Sequence, residues 1–331
     1  MMFSTTQPVP SPAPAGTPLQ GTELQIGLGQ RYRLDALLSR STWGDIWQAT
    51  WLQTGCAVTV KTVRADAPAA ERALHREALA CEGEHLRRLA SRHIVRYQGA
   101  GLWQGEPVLV LERLHESLKD HLAKAAQVAR STQAAMQALA NAPQGIGEAQ
   151  ALVWVREAAQ GLRALHRSGR KHLDIKPANL LLTAPDAQGQ QRLKLADFGA
   201  CLPLAQAQHP FVGTPGWAAP EQMRPVAQGP GRQALFATSP ASDWYALGQL
   251  LHRLLTGHLN SAGMAALGRY QRGGVQGLLD FPGTAPEPEA PAPAFEADDA
   301  TGPREGPMRL VMHLCHADPA MRARGAAALG V

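Results

Sequence analysis

Long apolar runs are missing. No stretch of the 331-residue chain approaches the roughly 18 consecutive apolar residues that a helix needs to cross a bilayer, so no membrane span is expected. Cysteine is scarce too. Cys56, Cys81, Cys201 and Cys315 lie far apart, with neither a C-x-x-C pair nor zinc-ligand spacing. That excludes a disulfide framework and a zinc finger, and predicts reduced thiols in a cytoplasmic protein. The 12 histidines include no H-x-x-x-H or comparable metal cluster. Charged residues make up only 18 %, and the net charge of +5 comes without a Lys/Arg-rich run, so nucleic acid is not an expected partner. The first twenty residues hold five prolines but no Lys, no Arg and no apolar h-region, which suits neither a signal peptide nor an anchor. Residues 1–30 are expected to form a disordered, Pro-rich tail.

Apolar residues, at 45 %, are ample for a core, and the length suits two lobes sharing one site. The chemistry concentrates in His172-Leu173-Asp174-Ile175-Lys176-Pro177-Ala178-Asn179, just before the apolar run Leu180-Leu181-Leu182. This loop sets a carboxylate, an ammonium and a carboxamide within six residues. Phosphoryl transfer needs such a set: a carboxylate near the attacking hydroxyl, a cation for developing charge and an oxygen ligand for Mg²⁺. The spacing from Asp174 to Asn179 resembles the H-R-D-x-x-x-x-N catalytic loop of protein kinases, with Leu173 where the arginine stands. On these residues the chain resembles the eukaryotic-type (Hanks-type) serine/threonine protein kinases, in the variety that lacks that arginine. Lys176-Pro177 fits the serine/threonine branch, and the Ala-, Arg-, Gly- and Pro-rich composition hints at a GC-rich bacterial genome. The resemblance implies an α+β, bilobal fold: a small lobe with a five-stranded antiparallel sheet over 31–112, and a larger, mainly helical lobe over 113–331.

Residues 31–64 read as three short strands, ending in the alternating Val58-Thr59-Val60-Lys61. Between the first two, the turn Leu38 to Ile46 aligns with the kinase glycine-rich loop, but Ser39 and Ser41 replace two glycines and only Gly44 remains. Glycines there let backbone N–H groups approach phosphate, and the serines leave the cradle altered. By resemblance Ser39, Ser41, Gly44 and Ile46 contact ATP, Lys61 reaches its phosphates, and a glutamate of the next helix orients Lys61. That helix is expected over Asp66–Leu89, with Leu74, Ala78, Leu79, Leu86 and Leu89 on its buried face. Glu71, Glu77, Glu82 and Glu84 compete for the pairing; the pattern Glu82-x-x-x-Leu86-x-x-Leu89 favours Glu82, with Glu77 second. Val95–Tyr97 and Val108–Leu111 look like the last two strands, and Glu112-Arg113-Leu114 resembles the hinge that holds adenine, with Glu112 and Leu114 as its contacts.

Residues 123–147 and 281–307 read as insertions, the second with seven prolines. Glu148–Arg167 has one apolar face and fits a buried helix before the catalytic loop. Asp197-Phe198-Gly199, 18 residues after Asn179, resembles the D-F-G triplet, so Asp197 and Asn179 are the expected metal ligands. His172 is expected to bond backbone near Asp197 rather than act as a base. Gly213-Thr214-Pro215 to Ala219-Pro220-Glu221 resembles the segment that ends the activation loop, with Thr214 bridging Asp174 and Lys176. Asp243 opens a helix whose aspartate holds the catalytic-loop backbone in kinases, and Arg322 is the implied partner of Glu221. The resemblance thus implies Asp174, Lys176 and Thr214 as catalytic residues, ATP with Mg²⁺ (or Mn²⁺) as cofactors, and a protein with Ser/Thr acceptors as substrate. Two alternatives stand beside it: a pseudokinase scaffold, suggested by the missing glycines, and a small-molecule kinase of related fold. Ala200–Val212 contains no Ser, Thr or Tyr, which predicts an enzyme not switched on by phosphorylation there. Control then falls to a regulatory protein partner, the tail or the 281–307 insertion.

Overall fold

The computed structural model describes residues 20–27, 29–40, 44–64, 66–135, 146–230, 233–279 and 306–331. The chain divides into two compact units. One runs up to Arg88 and takes in Arg96–Arg113; the other comprises Leu89–Val95 and Leu114–Val331.

Among the described residues the first unit is a six-stranded antiparallel sheet with one helix. Its strands are β1 (Glu23–Ile26), β2 (Gln30–Arg40), β3 (Asp45–Trp51), β4 (Cys56–Thr62), β5 (Tyr97–Trp103) and β6 (Glu106–Glu112), in the order β1-β2-β3-β4-β6-β5. The expected five strands are therefore six. The extra one, β1, lies within the segment expected to be a disordered tail: Leu24 pairs with Tyr32 and Ile26 with Gln30, and both side chains are buried. Residues 1–19 of that tail lie outside the described residues. Alternation puts Leu24, Ile26, Tyr32, Leu34, Trp47, Ala49, Val58, Val60, Val108 and Val110 on one face as a shared core. The sheet curls, because Gly101 of β5 lies against β1: a Cβ there would meet Ile26 Cβ at 3.0 Å.

Helix α1 (Ala69–Arg88) packs on β5 and β6. The buried stripe is His75, Leu79, Glu82, Gly83 and Leu86, a 3.6-residue pattern. The expected face was mis-phased at its start, since Leu74 is 61 % exposed and His75 takes the buried position. Two arginines one turn apart, Arg72 and Arg76, both donate to the buried Glu106 carboxylate, tying α1 to the start of β6.

The second unit holds β7 (Glu116–Ser117), α2 (Leu118–Ala135), α3 (Glu148–Arg167), β8 (Arg170–Lys171), β9 (Leu180–Leu182), β10 (Leu193–Leu195), β11 (Leu202–Pro203), β12 (Gln208–His209), β13 (Pro225–Gln228) and β14 (Ala234–Ala237). Helices α4 (Pro240–Thr256), α5 (Ser261–Leu279), α6 (Pro307–Leu314) and α7 (Pro319–Ala328) follow. The α3 span is the one the apolar periodicity predicts, and Val155, Ala159, Leu162 and Leu165 are buried with no exposed surface. Of the two expected insertions, 136–145 and 280–305 lie outside the described residues, while α2 extends through 123–135. Helix α4 is the post of this unit, packed by α3, α6 and α7 and closed by Gly257 in the left-handed region. Residues 89–95 belong here because Val95 N–H donates to Leu195 O at 2.8 Å and Leu195 N–H to His93 O at 2.8 Å.

Candidate active site

The loop His172–Asn179 follows β8 and ends in a short 3-10 turn, Pro177–Asn179, leading straight into β9. Its backbone is fixed by one carboxylate. Asp243, fully buried near the start of α4, accepts from Leu173 N–H on Oδ1 at 2.6 Å and from His172 N–H on Oδ2 at 2.8 Å, and His166 Nε2 bonds that same Oδ2 at 2.8 Å. Burial alone would raise the Asp243 pKa, but the His166 hydrogen bond and the His172 contacts outweigh it, and the net shift is downward. His172 is buried, bonds Ala196 O through Nε2 at 3.2 Å, and stacks at a tilt on Phe198. That is the backbone-bonding role expected of it. Leu173 and Asp197 both sit at positive φ, 65° and 61°, a region that non-glycine residues rarely adopt. Such strain persists only where surroundings over-determine it, and two cases at one site mark a backbone held for function.

On this frame four side chains converge. Thr214 Oγ1 donates to Asp174 Oδ1 at 2.6 Å and accepts from Lys176 Nζ at 2.7 Å. Lys176 Nζ also donates to Asp174 Oδ2 at 2.8 Å, and Asn179 Nδ2 donates to the same oxygen at 2.9 Å. A second bond, from Asn179 Nδ2 to Asp174 O, locks the amide and leaves Oδ1 as its oxygen ligand end. Gly213 makes the approach of Thr214 feasible. It lies at φ 107°, and a Cβ there would stand 2.6 Å from Leu173 O. Glu221, at the end of the same segment, is gripped by the fully buried Arg322 at 2.7 and 3.0 Å and accepts from Ser242 Oγ at 2.8 Å.

In the first unit, Lys61 Nζ lies 2.8 and 2.7 Å from the two oxygens of Glu82. Glu82 is buried and Glu77 exposed, which decides between the two glutamates left open by the sequence. Gly83 lets the helix lie close, its missing Cβ 3.4 Å from Leu109 Cδ1.

The protein kinase domain family matches residues 32–323. The chain belongs to that family. Among curated proteins it is similar to serine/threonine-protein kinase mrck-1 of Caenorhabditis elegans, 34 % identical over 142 residues, or 41 % of this chain and 8 % of that protein. It is also similar to serine/threonine-protein kinase PknL of Mycobacterium tuberculosis, 36 % identical over 123 residues, covering 36 % of this chain and 27 % of that one. Human myotonin-protein kinase is 36 % identical over 108 residues, 31 % of this chain and 16 % of its own. The matched stretches thus span less than a third of the length of each of these relatives.

The remaining residues expected of a kinase fall in the two units as follows. Ser39 is exposed on β2, paired with Ile46 of β3, whereas Ser41 lies outside the described residues. Gly44 precedes β3, and a Cβ there would stand 2.5 Å from Thr62 O, so this one surviving glycine is needed for close backbone approach. Arg40 and the buried Asp45 brace the two strand ends through paired contacts at 2.9 and 3.0 Å. Ile46 pairs with Lys61 across β3 and β4. Glu112 ends β6 and accepts from Arg96 N–H at 2.7 Å, and Leu114 is buried at the start of the second unit. Asp197 is half-buried and Asn179 buried, an oxygen-only pair. Among the described residues no helix is long and apolar enough to cross a membrane. Two features escaped the sequence reading: the buried Lys171, and the β12-β14-β13 sheet flanking Gly213–Glu221.

Proposed function

We propose that this chain is an ATP- and Mg²⁺-dependent serine/threonine protein kinase, transferring the γ-phosphoryl group to Ser/Thr hydroxyls of a protein substrate. The observation that carries the reading is the closed set Asp174, Lys176, Asn179 and Thr214, in which a carboxylate is oriented by an ammonium, an amide and a hydroxyl. Asp174 is the group that orients the acceptor hydroxyl and takes its proton. Lys176 faces the charge that develops on the transferred group, and Thr214 keeps both in register.

Asn179 Oδ1 and the Asp197 carboxylate fit a hard divalent cation, Mg²⁺ or Mn²⁺, which prefers oxygen ligands. When bound, that cation supplies neutralisation of phosphate charge. For ATP, Lys61 oriented by Glu82 would hold the phosphates, with Ser39, Ser41, Gly44 and Ile46 as their cover and Glu112 and Leu114 at the adenine. The missing glycines do not disable Lys61, Asp174 or Asp197, so catalysis is the favoured reading over a scaffold. Four widely spaced cysteines without a C-x-x-C pair accord with a cytoplasmic place, and a regulatory protein partner accords with the lack of any Ser, Thr or Tyr over Ala200–Val212.

The test is transfer from labelled ATP with Mg²⁺ or Mn²⁺ to generic protein acceptors and to the chain itself. Asp174→Asn should slow transfer by about 10²- to 10⁴-fold, the range of a positioned acid–base group. Equal turnover by the variant removes Asp174 from the mechanism. Nucleotide binding without any transfer by the wild type makes the chain a pseudokinase.

A further inference from the structure

Lys171 has no exposed surface, although a lysine on a two-residue strand normally keeps its ammonium in water. Its Nζ donates to two backbone carbonyls, Gln206 O at 2.5 Å and Thr238 O at 3.1 Å. Thr238 faces the same place: its Oγ1 donates to Gln206 O at 2.8 Å and its N–H to Ala207 O at 2.8 Å. These bonds fall on the segment between Asp197 and Thr214. The same segment is held by Leu202 pairing with Lys171, by Leu204 N–H on Gly169 O, and by β12 pairing with β14. A buried ammonium is tolerated only when acceptors surround it, and buried carbonyls equally need donors. Burial pushes the Lys171 pKa down, while the Asp243 charge opposes that shift.

An activation segment can be ordered by a phosphate paired to a nearby cation. Here Leu173 offers no cation, and Ala200–Val212 offers no hydroxyl. We propose that Lys171 is a positioning residue whose buried ammonium, seated on the Gln206 and Thr238 carbonyls, holds the activation segment in its working path without phosphorylation. The cation and its acceptors are both built into the chain, so the device is permanent. This inference rests on the reading of Asp174 and Thr214 as the transfer centre, since Thr214 is the end of the segment that Lys171 anchors.

The experiment uses the full chain stripped by phosphatase and checked by intact mass, beside Lys171→Met and Thr238→Val. Stripped wild type should transfer phosphate at once, without a lag. Lys171→Met keeps the length of the side chain and removes its charge. It should raise the KM for a protein acceptor by about tenfold while leaving the KM for ATP within about twofold, a split that a general loss of folded protein does not produce. Hydrogen exchange should accelerate at Leu204 and across Gln208–His209. Thr238→Val should move both readouts in the same direction but less, because its N–H bond to Ala207 O survives. A lag that ends only with autophosphorylation overturns the proposal. So does a Lys171→Met variant with wild-type acceptor KM and exchange, or one that loses only folded fraction while Thr238→Val matches wild type. If wild type transfers no phosphate at all, the kinase reading is what fails, and the exchange comparison still decides the role of Lys171.

Discussion

Replacing Thr214 by valine removes one oxygen and almost no volume, so it isolates the hydroxyl that links Asp174 to Lys176. Two bonds disappear: the one donated to Asp174 Oδ1 at 2.6 Å and the one accepted from Lys176 Nζ at 2.7 Å. The carboxylate is not orphaned, because Lys176 and Asn179 still donate to Oδ2 at 2.8 and 2.9 Å. Lys176 likewise keeps its bond to Oδ2, so neither charge is left unpaired and the two lost bonds together cost on the order of a single charge-assisted bond, about 1.5–3 kcal/mol. If that orientation is needed only as the phosphoryl group moves, the loss falls on the barrier, and about 1.4 kcal/mol per decade gives a roughly 10- to 150-fold drop in kcat/KM. The measurement is steady-state transfer from labelled ATP to a protein acceptor, with thermal melting run in parallel to confirm that the variant is folded. Thr214→Ser, which keeps the hydroxyl, should stay within about threefold of wild type. A folded Thr214→Val enzyme within about threefold of wild type refutes the argument that this hydroxyl orients the centre.

Gly44→Ala would drive a Cβ to 2.5 Å from Thr62 O, and relief must come from backbone. We expect a destabilisation of about 1–3 kcal/mol with weaker ATP binding, read by denaturant unfolding and nucleotide titration; an unchanged unfolding midpoint refutes it. Arg322→Met takes both guanidinium bonds from the part-exposed Glu221 carboxylate, which keeps only Ser242 Oγ, and removes the donors to the carbonyls of His316 and Ala317; it should cost about 1–3 kcal/mol in urea unfolding. A loss below about 1 kcal/mol means the pair is dispensable. Glu106 is held below its ordinary pKa of 4.5 chiefly by its hydrogen bond to Arg76, with burial opposing and Arg72 adding to the effect. A depressed carboxyl stabilises the fold fully above its unfolded pKa and loses that contribution as pH falls through the lower, folded value. Glu106→Gln should therefore be less stable than wild type at pH 7, with the gap narrowing as pH falls below 4.5; a gap that does not change with pH shows the charge to be irrelevant.

Much of the second unit was legible because its parts are ordered motifs. The Asp174 loop, the Asp197 triplet, the Thr214 segment and the Asp243 helix each carry distinctive chemistry at fixed order, so residues 40 positions apart could be paired on paper before any distance was known. Glu82 was harder. Glu77 and Glu82 share one helix, and which of them turns inward depends on helix phase; the exposed Leu74 shows how easily that phase is misjudged at an end. β1 was hidden by its neighbourhood, since Pro-rich composition on one side outweighed the short alternation Glu23-Leu24-Gln25-Ile26. Lys171 was illegible for a different reason. Its acceptors are main-chain carbonyls of residues 206 and 238, and no side-chain pattern encodes where a carbonyl points.

The position of β1 has a practical consequence for anyone shortening this chain. The family match begins at residue 32, so a gene trimmed to that boundary discards Leu24 and Ile26, two wholly buried side chains. At about 1.5–3 kcal/mol for each aliphatic side chain returned to water, the cut removes roughly 3–6 kcal/mol from the sheet. It also removes Gln30 and Arg31 from β2, leaves Tyr32 and Arg33 without their β1 partners, and bares a strand edge that invites other chains to pair with it. Poor solubility of such a fragment would be a fault of the cut and would carry no information about catalysis. Starting the gene at or before Gln20 keeps the strand and its lead-in turn, where Gly21 N–H reaches Leu34 O at 2.7 Å.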